Sequence, residues 1–185
     1  LPPTDWKGLP RPTGPVLGVD LSKGEGEWLS EREILRLADA IFGVAPRLRF
    51  ETTQGAFEVE LDADAAPVHA VSALLAVNAG IYDGTRWHRV VPNFVIQGGD
   101  PHGHGAGNAG WFVPDEITRR SYVRGALGMP KSRKDDGGCQ LFFMHTRYIP
   151  LDERYTCYGK VVSGMETVDK IRVGDTITKA SIVTK

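Results

Sequence analysis

Residues 87–100 read Trp87-His88-Arg89-Val90-Val91-Pro92-Asn93-Phe94-Val95-Ile96-Gln97-Gly98-Gly99-Asp100. Trp87 to Val91 is aromatic and β-branched, the composition of a strand. Pro92-Asn93 marks a turn, because proline presets its own φ and asparagine tolerates the left-handed region. Phe94 to Gln97 resumes as a second strand, and Gly98-Gly99 ends it. Side chains alternate along a strand, so Trp87, Arg89 and Val91 fall on one face and His88 and Val90 on the other. In the second strand Val95 and Gln97 share a face, away from Phe94 and Ile96. A hairpin of this kind presents Arg89, Val95 and Gln97 together, a guanidinium and an amide beside an apolar floor. By composition alone, Arg89 reads as a surface cation on an edge strand, since arginine is mostly exposed.

Upstream of this block, Tyr82-Asp83-Gly84 is a tight turn into the Trp87 strand. Asp62 to Pro67 opens a helix with Pro67 near its first turn. Val68, Val71, Leu74, Leu75 and Asn78 run down it, and Gly80 lies near its end. Leu48–Thr53 and Ala56–Leu61 alternate about Gln54-Gly55, a β-hairpin. Ser30-Glu31-Arg32-Glu33 is a capping box. Ile34, Leu35, Ala38, Ile41 and Phe42 follow at helical spacing with Gly43 as the stop, which predicts a short amphipathic helix over 31–42. Residues 1–29 carry Pro2, Pro3, Pro10, Pro12 and Pro15 with little periodicity. They read as an extended arm tethered by Trp6 and Trp28 or as a linker, and the favoured reading is a packed or partly ordered extension with no chemistry of its own.

Downstream, Asp100 to Gly110 is a glycine-rich loop whose backbone can approach another chain closely. His102 and His104 raise a metal reading that two histidines without a third ligand type do not sustain. No Lys-Ser/Thr follows the glycines, so a phosphate cradle is not read here. Gly125–Met129 is an apolar strand, Pro130–Gly138 a polar loop, and Cys139–Met144 the next strand. Gly164–Ile171 has a helical pattern, Thr176–Val183 is a closing strand, and no internal repeat is present.

The chain has 185 residues, 41% hydrophobic and 24% charged, with a formal net charge of −1. That is an ordinary globular composition of one domain plus an arm. The charge balance argues against a nucleic-acid footprint. No apolar run reaches the ~20 residues of a membrane span. The sequence begins at Leu1 without a signal peptide, so a processed or excised form is expected, and the compartment stays open between cytoplasmic and extracytoplasmic. Cys139 and Cys157 are isolated and read as small buried residues rather than redox groups. A hydrolase is disfavoured: His88 and His145 are present, but no Gly-x-Ser-x-Gly turn is, and Cys139 has no activating neighbour in sequence.

The 87–100 block resembles the signature of the cyclophilin family, Phe-His-Arg-hydrophobic-hydrophobic-Pro-x-Phe-x-x-Gln-Gly-Gly-Asp. Trp87 replaces the first Phe, and the other fixed positions match. Trp111–Glu116 ends in the family's Pro-Asp-Glu. Cys139–Met144 resembles its Ser-Gln-Phe-Phe-Ile, and Leu151-Asp152 and Tyr158-Gly159-Lys160-Val161 match further segments. The resemblance covers residues 46–185 and leaves 1–45 outside. It implies a mainly β fold: a closed eight-stranded antiparallel β-barrel capped by two α-helices, preceded by an N-terminal extension with a short extra helix.

The activity so implied is cis–trans isomerisation of X-Pro bonds in peptides and in unfolded or folding proteins, with no metal and no cofactor. Neither nucleic-acid binding nor membrane insertion is implied, and an upstream domain is a further candidate partner. The resemblance assigns Arg89 as the catalytic residue. It places Phe94, Val95, Phe142 and Leu151 as walls of a proline pocket, with Gln97 beside Arg89 and Gln140 in the adjoining groove. His88, Lys131 and Tyr155 complete the implied substrate-binding set, Lys131 through its main chain. Several positions depart from the family pattern. Pro130 stands where Ala is usual and brings no N–H to the substrate. Pro150 stands where many eukaryotic members have Trp, which leaves cyclosporin sensitivity open. Tyr155 replaces His, and Leu141 replaces the first Phe of a pair. The altered 130–136 loop keeps one alternative in view, a proline-peptide binding module with little turnover, part of a larger scaffold.

Overall fold

The computed structural model describes residues 9–24, 26–41 and 44–183. Trp6, expected as a tether, and Phe42 and Gly43, expected at a helix end, lie outside them. The alternating stretch after Pro46 forms β1 (Arg47–Thr52) and β2 (Gly55–Leu61), in antiparallel register from Arg47↔Glu60 to Thr52↔Gly55. Leu48, Phe50, Phe57, Val59 and Leu61 point into the core. The opposite face carries cross-strand ion pairs, Arg47–Glu60 at 3.6 Å and Arg49–Glu58 at 3.4 Å. The period-2 pattern is thus realised as one dry and one charged face.

The signature block forms β3 (Arg89–Val91) and β4 (Val95–Gly98), paired Arg89↔Gln97, Val90↔Ile96 and Val91↔Val95. Asn93 adopts φ +58° in the turn between them, the left-handed conformation that its short polar side chain tolerates. β5 (Ala126–Gly128), β6 (Leu141–Met144), β7 (Cys157–Ser163) and β8 (Ile177–Val183) complete one antiparallel sheet in the order β3-β4-β6-β5-β7-β2-β1-β8.

That order corrects the expectation of a closed barrel. The sheet is a half-barrel whose end strands, β3 and β8, share no ladder. The gap is spanned by irregular backbone instead. Trp87 N donates to Asp175 O at 2.8 Å, Gly174 N to Trp87 O at 3.0 Å and Ile177 N to Thr85 O at 2.9 Å. Between them Arg86 and Thr176 make a single isolated bridge. The same seam corrects the placement of Trp87. It precedes β3, so the strand alternation does not reach it. Its indole is buried among Phe57 and Phe143, on the core side rather than with Arg89.

Three helices dress the sheet: α1 (Glu31–Ile41), α2 (Pro67–Asn78) and α3 (Met165–Lys170). Every residue of α2 from His69 to Val77 is buried. A helix apolar all round needs cover on more than one side, and α1 packs against it. α1 starts with the expected capping box, Ser30 N and Oγ donating to Glu33 Oε2 at 2.8 and 2.7 Å. Its buried stripe is Ile34, Leu37, Ala38 and Ile41, whereas Leu35, expected on that stripe, is exposed. The described residues before α1 are packed, as the favoured reading expects. Leu9, Val16, Leu21 and Leu29 join the same apolar core as Phe50 and Leu74, with Trp28 packed against it. The segment closes around Arg11, whose guanidinium donates to Leu21 O at 2.6 Å, Gly26 O at 2.9 Å and the Glu33 carboxylate at 2.7 Å.

Candidate active site

Strand register builds the site. Arg89 on β3 faces Gln97 on β4, Gln97 faces Phe142 on β6, and Phe142 faces Gly128 on β5. These four residues form one row across four strands, on the sheet face away from the main core. Beneath the row lies a second, smaller apolar cluster of Val95, Tyr122, Ala126, Phe142, Met144 and Cys157, with Phe94, Leu151 and Tyr155 packed on it half-buried. Tyr122 stacks under Phe142 at 5.5 Å between ring centroids, and Tyr155 meets Phe142 edge-on at 6.4 Å. Gly128 makes room for this floor: a Cβ there would lie 2.2 Å from Phe142 Cζ.

Above the cluster opens a cleft of about 280 Å³ lined by Arg89, Phe94, Val95, Gln97, Pro130, Lys131, Phe142, Leu151 and Tyr155. The Arg89 guanidinium sits 5.7 Å from the Phe94 ring centroid, a cation–π distance, and its Nη1 donates to Gln97 Oε1 at 3.3 Å. It therefore stands at the mouth of an apolar cleft, held by a neutral amide and an aromatic face. Lys131 forms the opposite wall. Its ammonium is ion-paired to Asp115 and lies 5.4 Å from the Tyr155 ring centroid.

Gln140 lies one step away, in the adjoining pocket of about 170 Å³ that it shares with Gln97, Pro130, Lys131 and the 105–108 loop. His88 is brought to neither pocket. Both its ring nitrogens are buried without a hydrogen-bond partner, and burial pushes the imidazole below its ordinary pKa, toward the neutral form. It lies instead beside Gly105 of the glycine-rich loop. Like Trp87, His88 precedes β3.

Three contributors went unassigned in the sequence: Pro130 as a wall, Asp115 as the counter-ion of Lys131, and Tyr122 under the floor. Asp115 belongs to the Pro-Asp-Glu segment, so a signal existed there. Tyr122 carried none. Among the described residues no group of three or more His, Cys, Asp or Glu is placed to hold a metal ion.

The site is an arginine fork over an aromatic-floored cleft. Residues 47–185 match the family model of cyclophilin type peptidyl-prolyl cis-trans isomerases. The chain belongs to that family. Peptidyl-prolyl cis-trans isomerase B of Bacillus subtilis is 38% identical over 127 residues, covering 68% of this chain and 89% of the relative. A peptidyl-prolyl cis-trans isomerase of Synechococcus elongatus is 34% identical over 136 residues, covering 72% and 94%. Among solved structures, a cyclophilin type isomerase of Cryptosporidium parvum superposes with a TM-score of 0.71 at 26% identity, over 76% of this chain and 98% of that one. The same parasite protein in the presence of the dipeptide Ala-Pro gives 0.70 at 27% identity, over 75% and 99%. The cyclophilin fold and the isomerase class follow for this chain.

Proposed function

We propose that this isomerase catalyses X-Pro rotation in peptides and folding proteins with Arg89 as its catalytic group. Rotation meets a barrier of ~18–20 kcal/mol because amide resonance must be broken. As resonance is lost the prolyl nitrogen becomes pyramidal and gains a lone pair. A donor held beside that nitrogen stabilises the twisted state more than either planar state, which is the condition for catalysis. The arginine fork supplies that donor without any proton exchange, since it is charged at every working pH. Phe94, Val95, Phe142, Leu151 and Tyr155 would hold the prolyl ring, an apolar ring in an apolar socket. With the ring fixed, the preceding carbonyl is the part that swings.

Gln97 accepts from Arg89 Nη1 and keeps the fork over the cleft. Lys131 would pair with the substrate through its main chain, and Pro130 beside it has no N–H to give. His88 takes no part in this reading. The reading is carried by one observation, the Arg89 guanidinium at the mouth of the Phe142-floored cleft. We further propose that residues 9–45 and the family-matched region fold as one unit, because they share one apolar core.

The test is exchange spectroscopy on an Ala-Pro peptide. Wild type at catalytic concentration should accelerate exchange, and Arg89→Ala should bind the peptide and accelerate it at least tenfold less. Peptide binding by wild type without accelerated exchange would instead favour a binding module.

A further inference from the structure

The Arg89 fork is held by one end of a chain of amides. Arg89 Nη1 donates to Gln97 Oε1 at 3.3 Å, and Gln97 Nε2 donates to Gln140 Oε1 at 3.1 Å. Gln140 Nε2 donates in turn to two backbone carbonyls of the glycine-rich loop, Gly105 O at 3.1 Å and Gly107 O at 2.8 Å. This chain has a direction. An amide carries its donor and its acceptor on opposite arms. Two carbonyls facing Gln140 can only be met by its NH2 group, so its oxygen must face Gln97. Gln97 must then turn its NH2 toward Gln140 and its oxygen toward Arg89. With the opposite polarity, an NH2 group would face the guanidinium, donor against donor.

What presents those two carbonyls is Asp100. Its carboxylate is 0% exposed and accepts four backbone N–H bonds: His102 at 2.7 Å, His104 at 3.1 Å, Gly105 at 2.6 Å and Gly107 at 3.0 Å. The loop is wrapped so tightly that a Cβ at Gly107 would lie 1.8 Å from Asp100 Oδ1. Burial alone would raise the pKa of this carboxyl, but the four N–H donors lower it to about 2. It is therefore an anion throughout the working pH range. Every polar atom of the Gln140 side chain is already engaged, which leaves it no free donor for a substrate.

We propose that Asp100 and Gln140 are positioning residues for Arg89: Asp100 fixes the 102–107 loop, and the loop's carbonyls set the direction of the Gln140–Gln97 amide chain that aims the guanidinium. This replaces the expectation that Gln140 contacts substrate, and it rests on the role given to Arg89.

Gln140→Glu tests the direction of the chain itself. Ionised, the new carboxylate has no donor for the Gly105 and Gly107 carbonyls. Protonated, it regains one O–H donor and keeps an acceptor for Gln97. The other ionisable side chains around position 140 are Lys131, Asp136 and Cys139 in its pocket, Asp100, His102 and His104 on its loop, His88 beside Gly105, and Arg89 at the far end of the amide chain. Wild type carries all of these, so the ratio of variant to wild type cancels them. Exchange spectroscopy on an Ala-Pro peptide from pH 7.5 to 4.5, with amide spectra to verify folding at each pH, reads that ratio.

The expected result is kcat about tenfold below wild type at pH 7.5, recovering toward wild type as pH falls. Gln140→Met should lose a similar factor at every pH, and Asp100→Asn should lower kcat about tenfold with KM within twofold. A Gln140→Glu ratio flat with pH, or Gln140→Met within twofold of wild type, overturns the proposal. Arg89→Ala, measured alongside, separates the two claims. If it is slow while the position-140 and position-100 variants are fast, only the amide chain is refuted. If it is as fast as wild type, the role of Arg89 falls first.

Discussion

Leu37→Ala probes whether the N-terminal segment is part of the domain. Leu37 is 0% exposed, on the inner stripe of α1, which packs on a helix buried along its whole middle. The substitution removes three carbons from that contact. At ~0.8 kcal/mol per buried methylene the transfer term is about 2.4 kcal/mol, and the cavity left behind brings the cost to about 3 kcal/mol. For a chain of this size each kcal/mol moves Tm by ~2–4 °C, so the expected fall is about 6–12 °C. Calorimetry is the assay, because it also counts transitions. If α1 and the sheet share one core, a single transition moves as a whole. A main transition unmoved within about 2 °C, with only a minor early shoulder shifting, would refute the reasoning. So would a fragment of residues 46–185 that unfolds at the temperature of the full chain.

Gly128→Ala forces a Cβ against the Phe142 ring, 2.2 Å from its Cζ. Ring displacement should raise KM for an Ala-Pro peptide about tenfold, and strain should lower stability by ~1–3 kcal/mol, read by peptide titration and denaturant unfolding. Lys131→Met removes the counter-ion of Asp115 and the cation beside Tyr155. The expected result is a KM rise of about fivefold, or ~1 kcal/mol, with kcat within twofold by steady-state kinetics. Asp100 gives a signed pH dependence. Its folded pKa, about 2, lies below the ordinary 3.8, so its stabilisation is fully present above that ordinary value and is lost as pH falls toward 2. Denaturant midpoints measured across that window should fall in wild type and be flatter in Asp100→Asn.

The signature hairpin was legible because two local rules agree there. Alternation places Arg89, Val95 and Gln97 on one face, and Pro92-Asn93 supplies a turn whose asparagine takes a positive φ. His88 lies just before β3, and only its position inside the motif suggested a part in the site. The N-terminal segment was opaque for a physical reason. Leu9, Val16, Leu21 and Leu29 follow no period, and the segment that carries them is tied down by Arg11 reaching Glu33, 22 residues away. Closure of the sheet was not readable either. It turns on whether residues 84–87 and 174–177 extend a ladder, and they make only an isolated bridge, Arg86↔Thr176. Asp100 closes the signature block, but alternation and spacing do not disclose what it holds, because its partners are main-chain N–H groups.

Separate determination of kcat and KM for Arg89→Ala on an Ala-Pro peptide bears most directly on the mechanism. A donor that acts on the twisted bond alone predicts a kcat at least tenfold lower with KM changed by less than about threefold. A loss carried wholly by KM, at undiminished kcat, would mean that Arg89 grips the peptide and does nothing for its rotation.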